Sequence, residues 1–408
     1  MRALAVALLV SSLAVPGATF AARPQRRAPL PEARGAGTAR EPTPAPPEQP
    51  RIVNGVVTSD YPAVGALLRR MDDGQWRLWC SATLIGCRTV LTAAHCACEE
   101  DGPACQTGAA APDPGRYAFF LQNAGVLDVD AVFVHPRYRF PVADVSVMRL
   151  AHDADGIRPS AILSTAVPQG TQATIVGFGR TGSASGDYGI KRAGRVLTSA
   201  CGDGVDAESS VCWRFAAPVG PAGEDSNTCN GDSGGPLFAD LGAGDGIGGV
   251  TSGGRSATCQ PFDLSFDASV PRYLGFIQRR AAGDRSEACG DVAELGSGST
   301  SVASFSGALD ATTREGAHAF GVAAGSTRLV VTLNGGETAH SRFRLFVKHG
   351  SQPTATRYDC RASHRGQFGT CSIADPAPGT WFVRVRRVAG GAPYQVTATS
   401  FSPAPTGD

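Results

Sequence analysis

Twelve cysteines that follow an export leader are the feature that most restricts how this chain can fold. Residues 1–21 carry a basic residue, Arg2, followed by 13 residues that are apolar except for two serines and then by mostly small residues. A secretory signal peptide has this pattern, and the run is too short for a membrane span, which needs about 20 residues. Because exported chains mature in an oxidising compartment, an even number of cysteines predicts structural disulfides. We therefore expect a secreted, extracellular, cross-linked protein.

Residues 22–51 form a second segment of unusual composition. They contain eight prolines, no aromatic residue and one large apolar residue, Leu30. Such a segment cannot bury enough apolar surface to fold. We predict a disordered pro-segment that ends at Arg51, directly before Ile52.

The remaining composition excludes several classes of function. The net charge is +1, and 42% of the residues are apolar, so the sequence indicates neither a disordered chain nor a nucleic-acid-binding protein. The cysteines include no CxxC pair, and the closely spaced Cys96 and Cys98 lack a matching histidine cluster. No zinc site is therefore predicted.

Three short segments carry the residue types of nucleophilic catalysis. They are LTAAHC at 91–96, DVSV at 144–147 and GDSGGP at 231–236. Each alone has a structural explanation, namely a packed histidine, a turn aspartate and a glycine turn with positive φ. Together they supply a base, a carboxylate and a hydroxyl, and a serine hydroxyl is a weak nucleophile until a base accepts its proton.

The combination closely resembles the chymotrypsin-like serine proteases. The order His95, Asp144, Ser233 is that of this family, whereas other folds with a similar triad use other orders. The motif GFG at 177–179 is similar to a further family motif, and the resemblance extends from 52 to about 277. It implies an all-β protein with a double antiparallel β-barrel, and a serine endopeptidase that cleaves protein or peptide substrates without a cofactor.

The resemblance implies a role for each matching position. Ser233 attacks the peptide carbonyl, His95 takes and returns the proton, and Asp144 orients the imidazole and stabilises its cationic form. The backbone N–H groups of Gly231 and Ser233 form the oxyanion hole. A glycine at 231 suits this role because a side chain would crowd the approaching carbonyl.

The resemblance also implies activation by proteolysis. Cleavage of the Arg51–Ile52 bond would free the α-amine of Ile52, which then pairs with Asp232 beside the nucleophile. Because a buried carboxylate without a partner is costly, the ion pair and the substrate pocket form together. The chain is therefore expected to be a zymogen, with a protease domain over residues 52–285.

The cysteines fit this family as well. The resemblance implies three pairs: Cys80 with Cys96, Cys201 with Cys212, and Cys229 with Cys259. A fourth pair, Cys360 with Cys371, is expected to bridge one hairpin near the C-terminus. The remaining four, which allow three pairings that the sequence leaves open, are Cys87, Cys98, Cys105 and Cys289.

The substrate pocket departs from the family pattern. Counted back from Ser233, Asn227 lies at the floor of the primary specificity pocket, beside Thr228, where members that cleave after Lys or Arg usually have aspartate. Asp263 either faces the pocket and binds a basic side chain, or faces solvent, which the sequence favours. We expect a medium-sized or polar preference. Since such an enzyme would not cut at Arg51, we expect an outside activating protease.

The strand at 251–253 is expected to pair with the substrate backbone. Thr251 stands where the family usually has serine, and it keeps the hydroxyl. Ser252 follows, and Gly253 leaves the mouth of the pocket open.

The C-terminal part predicts a separate β-domain. Residues 286–304 contain a Gly- and Ser-rich run and are predicted to be a linker. Apolar and polar residues then alternate, as at 342–348 and 381–386, which predicts a small antiparallel β-sandwich over 305–402. This module resembles the bacterial pre-peptidase C-terminal domain, most clearly in PGTWFVRV at 378–385.

The sequence of this module bears on two binding functions. Relatives often carry aspartates that help bind calcium, but Ser341 and Arg342 stand nearby instead, so no metal is predicted. Basic residues could form a stripe that binds an anionic polysaccharide or membrane surface weakly, although a solvated strand face is favoured. These residues are Arg342, Arg344, Lys348, Arg384, Arg386 and Arg387.

A different class of function is a secreted binding protein, built on a catalytically silent protease scaffold and acting through its C-terminal module. Such scaffolds typically lack a member of the triad. Here all three members are present, together with Gly231 and Asp232. The sequence therefore favours the enzyme.

Overall fold

The computed structural model describes residues 52–98, 112–182, 187–202, 204–216, 220–256, 258–259, 261–284, 289, 299–336 and 341–402. The predicted signal peptide and pro-segment, residues 1–21 and 22–51, lie outside this part of the chain. Among the helices that are described, none is long and apolar enough to cross a membrane.

A closed antiparallel barrel forms the first half of the region from Ile52 to Ala281. It follows a short strand, β1 (Val56–Val57). Its six strands are β2 Val64–Arg70, β3 Trp76–Leu84, β4 Thr89–Thr92, β5 Tyr117–Leu121, β6 Gly125–Val134 and β7 Ser146–Leu150. Their order is β2-β3-β4-β7-β6-β5, with β5 paired to β2. Closure leaves no free sheet edge, and β-branched and aromatic residues fill the interior.

A second barrel follows the same plan. Its strands are β8 Gln172–Gly177, β9 Arg192–Ser199, β10 Ser210–Phe215, β11 Pro236–Asp240, β12 Asp245–Gly254 and β13 Asp263–Ser269. They run in the order β8-β9-β10-β13-β12-β11, β11 pairs with β8 to close the barrel, and β1 joins β9. The predicted double barrel is confirmed.

Helices are few and short. Helix α1 (Ala94–Ala97) follows β4, a 3₁₀ turn (Pro114–Arg116) precedes β5, and α2 (Val270–Ala281) follows β13. Helix α2 carries a proline in its first turn, where the missing N–H costs no hydrogen bond. Its buried side chains share one apolar core with residues of both barrels.

The C-terminal domain is the predicted β-sandwich. Its strands are β14 Ser299–Leu309, β15 Glu315–Val322, β16 Arg328–Gly335, β17 Arg342–His349, β18 Cys360–Arg361, β19 Ser363–Arg365, β20 Phe368–Ala374, β21 Gly379–Ala389 and β22 Ala392–Ser402. One sheet has the order β14-β22-β16-β20-β19 and the other β15-β21-β17-β18. The apolar residues of the period-two segments, including Phe343, Leu345 and Val383, are buried between the sheets.

The predicted linker over 286–304 is too long at its C-terminal end. Strand β14 begins at Ser299 and pairs with β22 along its whole length, from Ser299 opposite Ser402 to Leu309 opposite Ala392. The Ser and Thr residues at 299–301 resemble a flexible linker in composition. They form a strand because β22 supplies partners for their backbone groups.

Five disulfides lie wholly within the described residues: Cys80–Cys96, Cys87–Cys289, Cys201–Cys212, Cys229–Cys259 and Cys360–Cys371. Four are the pairs expected from the sequence, and Cys87–Cys289 answers part of the question left open. Cys360–Cys371 does not bridge one hairpin as expected, because Cys360 lies on β18 and Cys371 on β20, which belong to different sheets. This bond joins residues 202 positions apart, a loop length at which cross-linking stabilises the folded state by on the order of 5 kcal/mol. Cys98 is also disulfide-bonded, to a partner outside the described residues.

Lys191, directly before β9, is a buried charge. Its side chain is fully covered, and Nζ donates to the Tyr61 carbonyl at 3.1 Å. Burial lowers the pKa from its usual 10.5 to about 7, while Asp60 acts in the opposite direction. An ammonium group in this place is less well solvated than in water, so the folded state favours the neutral amine.

We predict that Lys191→Met changes the pH dependence of stability. Because the native pKa of about 7 lies below the usual 10.5, the unfolded chain binds more protons in this window, and Lys191 makes the free energy of unfolding rise with pH there. The free energy of unfolding of Lys191→Met should exceed that of wild type by the largest amount below pH 7. This difference should shrink towards pH 10.

Urea titrations at pH 6.5 and pH 9.5 measure this difference. Lys348→Met, which removes the other lysine of the chain, is the control for loss of charge alone. An equal difference between Lys191→Met and wild type at both pH values would contradict the prediction.

Candidate active site

Two neighbouring strand ends bring His95 and Asp144 together. Strands β4 and β7 pair with Thr92 opposite Ser146, so α1 and the loop that leads into β7 meet at one edge of the first barrel. His95 Nδ1 lies 2.7 Å from Asp144 Oδ2, and the His95 backbone N–H donates to Oδ1 at 2.8 Å. In the tautomer that donates from Nδ1, the other ring nitrogen carries the lone pair that can accept a proton.

The Asp144 carboxylate is fully buried. It accepts a third hydrogen bond from Ser252 Oγ at 2.5 Å, in addition to the two from His95. Three donors compensate for the lost hydration of the charge. The carboxylate is therefore held in a fixed position against the imidazole by donors from two segments of the chain.

Ser252, the residue after Thr251, supplies the hydroxyl that reaches this carboxylate. Thr251 contributes its backbone instead, since its N–H donates to the Gly235 carbonyl and its carbonyl accepts from Gly234 N–H. The hydroxyl that meets the Asp144 carboxylate is thus that of Ser252, one residue after Thr251. The pairing of β12 with β13 shifts register between Thr251 and Gly253. Such a bulge changes which side chain points to the site, and sequence spacing does not reveal it.

Ser233 lies on a tight loop at the boundary of the two barrels. Its carbonyl accepts from Ser81 N–H at 2.8 Å, and Ser81 Oγ donates to the Gly231 carbonyl at 2.9 Å. Gly231 and Gly234 have φ values of 94° and 80°, which favour glycine. A Cβ on Gly234 would lie 2.1 Å from Thr92 Oγ1. Glycine therefore allows the loop to approach the first barrel, and Ser81 on β3 holds it there.

The same contact brings the loop next to the histidine segment. The Cys96 Sγ atom lies 3.6 Å from the Ser233 carbonyl oxygen. The structure thus brings together the segments that carry His95, Asp144 and Ser233, although they are far apart in sequence.

Asp232, the residue before Ser233, is a buried carboxyl held by backbone donors. Gly179 N–H donates to Oδ1 at 2.7 Å and Cys229 N–H to Oδ2 at 2.9 Å. Burial raises the pKa of Asp232 to about 7, even though these two bonds and the charge of Arg192 lower it. A cation close to this carboxyl would favour its ionised form.

Ile52 is buried in an apolar cluster of the second barrel. Its neighbour Val53 forms an isolated β-bridge with Asn227. Arg51 lies outside the described residues. The segment that follows the predicted cleavage bond is thus already packed close to the pocket.

Asn227 and Asp263 form a buried pair in the predicted substrate pocket. Asn227 Nδ2 donates to Asp263 Oδ2 at 3.0 Å, while its Oδ1 accepts from Ser265 Oγ at 2.6 Å and from Trp213 Nε1 at 3.2 Å. Asp263 Oδ1 accepts from Ser256 N–H at 2.7 Å. Asp263 is only 4% exposed, so the expectation that it faces solvent is wrong. It opens β13, and Asn227 and Ser256 each donate to one of its carboxylate oxygens.

Glycines on β12 make room opposite this pair. A Cβ on Gly254 would lie 2.6 Å from Asp263 Oδ2, and one on Gly253 would lie 3.2 Å from Phe266 Cζ. Thr228, beside Asn227, is buried. Any side chain at 254 would therefore collide with the Asp263 carboxylate.

Sequence reasoning did not single out Phe140, which lies against the catalytic candidate His95. The two rings meet edge to face with centroids 5.8 Å apart, and Phe140 also lies 6.5 Å from Phe266. Its ring is 40% exposed. An exposed aromatic residue shortly before a candidate catalytic aspartate was the available signal, since loops carry many binding residues.

Three potential metal ligands also lie close together: Cys80, His95 and Cys96. Cys80 and Cys96 are joined in a disulfide, so they offer no thiolate to a metal. His95 Nδ1 is engaged by Asp144. The cluster is explained by the disulfide beside the histidine.

The chain is similar to known proteins in two segments. The trypsin family profile matches residues 52–277, and that of the bacterial pre-peptidase C-terminal domain matches residues 317–387. Serine protease SP24D of Anopheles gambiae is 33% identical over 196 residues, which are 46% of this chain and 67% of that protein. Human kallikrein-9 is 27% identical over 257 residues, 54% of this chain and 91% of that protein. Among solved structures, neuropsin, a serine protease expressed in the limbic system of mouse brain, matches 55% of this chain and 98% of that chain, with 23% identity and a TM-score of 0.43.

The two matched segments coincide with the two parts of the structure. The first contains both barrels and covers more than half of the chain, and the second lies within β15 to β21 of the sandwich. The chain belongs to the trypsin family of serine proteases and carries a C-terminal domain of the bacterial pre-peptidase type.

Proposed function

We propose that this protein is a secreted serine endopeptidase made as a zymogen. The observation that carries the proposal is the buried Asp144 carboxylate, which binds His95 through both a backbone and a ring nitrogen. The loop of Ser233 is fixed beside it by Ser81. Such preorganisation is what a triad needs before substrate arrives.

The chemistry follows from these positions. His95 accepts the Ser233 hydroxyl proton while the oxygen attacks the peptide carbonyl, and the backbone N–H groups of Gly231 and Ser233 stabilise the oxyanion. His95 then donates the proton to the leaving amine. Water, activated by the same base, hydrolyses the acyl-enzyme and restores Ser233. Throughout, Asp144 stabilises the imidazolium that forms.

Activation would act through Asp232. In the uncleaved chain burial holds the pKa of this carboxyl at about 7, so a large fraction is protonated near neutral pH. Cleavage after Arg51 creates an ammonium group on Ile52, and its pairing with Asp232 would favour the carboxylate and fix the adjacent oxyanion loop. The predicted signal peptide and the disulfides support an extracellular site for this step.

The pocket supports a medium-sized or polar preference. The Asp263 carboxylate already accepts hydrogen bonds from Asn227 and Ser256, so its charge is used within the wall of the proposed pocket. A long basic side chain would have to displace Asn227. We therefore propose that another protease, one that cleaves after arginine, performs the first cut at Arg51.

The sandwich carries an arginine pair that favours a second function, weak binding to an anionic polysaccharide. Arg344 and Arg386 lie opposite each other on β17 and β21, and both are exposed. Like charges in this position repel. Glu315 lies near Arg384 and Arg386, and Lys348 pairs with Asp359, so only weak binding to an anionic polysaccharide is proposed.

We predict Ser233-dependent cleavage of a mixed peptide library by the protein cut at Arg51. In Ser233→Ala the rate should fall by about 10⁴-fold or more, because the nucleophile is lost. Mass spectrometry of the products reports both the cuts and the residues before them. If the wild-type protein makes no Ser233-dependent cuts, the silent binding scaffold becomes the better explanation.

The same library decides the role of Asp263. We expect cuts after medium-sized or polar residues that survive in Asp263→Asn, which keeps the size of the side chain. Cuts after Lys or Arg that disappear in this variant would show that the carboxylate binds substrate and would contradict the proposed pocket.

The proposal of an outside activating protease has its own test. Maturation of the purified precursor without added protease would contradict it.

We predict that Ile52→Asp remains inactive after cleavage, whereas Ile52→Val stays within about 10-fold of wild type. A charged side chain cannot enter the apolar cluster that holds Ile52, so the new amine would not reach Asp232. N-terminal sequencing confirms the cut at Arg51, and hydrolysis of a peptide ester measures activity. Full activity of cleaved Ile52→Asp would refute activation through this residue.

The arginine pair is tested by the salt concentration that elutes the protein from immobilised heparin. The double variant Arg344→Gln/Arg386→Gln should elute at clearly lower salt, because two phosphate- or sulfate-binding charges are removed. Arg88→Gln/Arg149→Gln, on the first barrel, is the control of equal charge. Equal elution of both double variants would mean that net charge alone determines retention.

A further inference from the structure

The sandwich contacts the protease domain through buried polar groups. Thr332 Oγ1 donates to the Gln122 carbonyl at 2.6 Å, and Asn123 Nδ2 donates to Thr399 Oγ1 at 3.0 Å. All four residues are buried. Since an unmade buried hydrogen bond is costly, these contacts define one orientation of the two domains.

Two amides of the sandwich reach further, to the segment before β9. Asn334 Nδ2 donates to the Gly189 carbonyl at 2.9 Å, and Gln395 Oε1 accepts from Lys191 N–H at 2.8 Å. Gln395 Nε2 also donates to the Thr58 carbonyl at 3.2 Å, and the two amides are joined at 2.8 Å. Both side chains are buried, so the sandwich holds backbone groups of the protease domain on both sides of residue 190.

The segment held in this way supports Asp232. Gly189 N–H donates to the Phe178 carbonyl at 2.7 Å. Gly179, the residue after Phe178, donates its N–H to Asp232 Oδ1 at 2.7 Å. Arg192 Nη1 lies 3.4 Å from the Gly179 carbonyl. Hydrogen bonds, linked by short stretches of backbone, thus connect the sandwich to Asp232, the residue before Ser233.

Aromatic packing follows the same path. Phe368 of the sandwich lies 5.0 Å from Phe120 between ring centroids, and Phe120 lies 6.4 Å from Phe178. All three rings are fully buried in one apolar cluster. Phe178 is therefore held from the sandwich by side-chain packing as well as by its carbonyl.

We propose that the C-terminal sandwich is a positioning part of the protease, with Asn334 and Gln395 as its positioning residues. These two side chains hold residues 189–191. Residues 189–191 in turn hold Phe178 and Gly179. Gly179 then fixes the Asp232 carboxyl and, with it, the adjacent oxyanion loop. The inference rests on the proposed protease function. It assigns the domain a role in forming the site, beyond that of a tether or an added source of stability.

The test compares two buried amides of the sandwich. Gln395→Met keeps the size of the side chain but removes the acceptor for Lys191 N–H. Gln367→Met makes the same change at another buried amide, whose Oε1 accepts from Phe343 N–H inside the sandwich at 3.2 Å. Both are made in the full chain, cut at Arg51, and measured well below their melting temperatures. Asn334→Leu is the second test variant.

Two readouts separate positioning from stability. Hydrogen exchange of backbone amides at 178–182, 187–192 and 229–235 should become at least about 10-fold faster in Gln395→Met than in wild type, and should not change in Gln367→Met. Per folded molecule, kcat for a short peptide ester should fall by about 10-fold or more while KM changes little, because the oxyanion loop acts on the transition state. Asn334→Leu should behave like Gln395→Met.

A lower melting temperature with unchanged exchange and kcat in both test variants would overturn the inference, since the amides would then only stabilise the fold. Equal effects in Gln367→Met would overturn it as well. If the cleaved wild-type protein has no activity, the proposed protease function fails. The exchange comparison still decides whether the sandwich holds the Asp232 segment.

Discussion

The buried carboxylate of Asp144 is the interaction on which the site depends, because its three hydrogen bonds come from both barrels. His95, from the first barrel, supplies two of them and Ser252, from the second, supplies the third. A buried anion tolerates no missing donor. The two barrels must therefore meet with nearly fixed geometry. Ser81 makes a second such link, since it reaches the loop of Ser233 from the first barrel.

Asp232 presents the opposite situation. It too is buried, but its hydrogen bonds come from backbone N–H groups, and its pKa is raised to about 7. The uncleaved chain thus holds a carboxyl that is poorly suited to its surroundings at neutral pH. A new ammonium group nearby would favour the ionised form of Asp232, whereas Asp144 already has three hydrogen-bond donors. This difference explains how one proteolytic cut could act on the oxyanion loop and leave the His95–Asp144 pair unchanged.

How much the sequence could predict depended on the range of the interaction. Period-two alternation was enough to predict the strands of the sandwich, because it is a local pattern. The double barrel and the triad candidates were implied by a family resemblance that three short motifs carry. The orientation of Asp263 and the choice of Ser252 over Thr251 depend on a strand start and a bulge, which one-residue differences decide. The Cys87–Cys289 pair spans 202 residues and has no local signature. The contacts of the sandwich with the protease domain also have no local signature in the sequence.

Those contacts combine two kinds of interaction that have different effects. Phe368 and Phe120 are fully buried where they meet, and exposing an aromatic ring of this kind costs about 1.5–3 kcal/mol. Apolar packing therefore favours association but tolerates small changes of orientation. The amides of Asn334 and Gln395 would be well hydrated on a separate domain, so they add little to association. They are satisfied in the assembled chain only in one orientation, in which they meet Gly189 and Lys191. The apolar contacts thus keep the domains together, and the polar contacts determine which segment of the protease the sandwich holds.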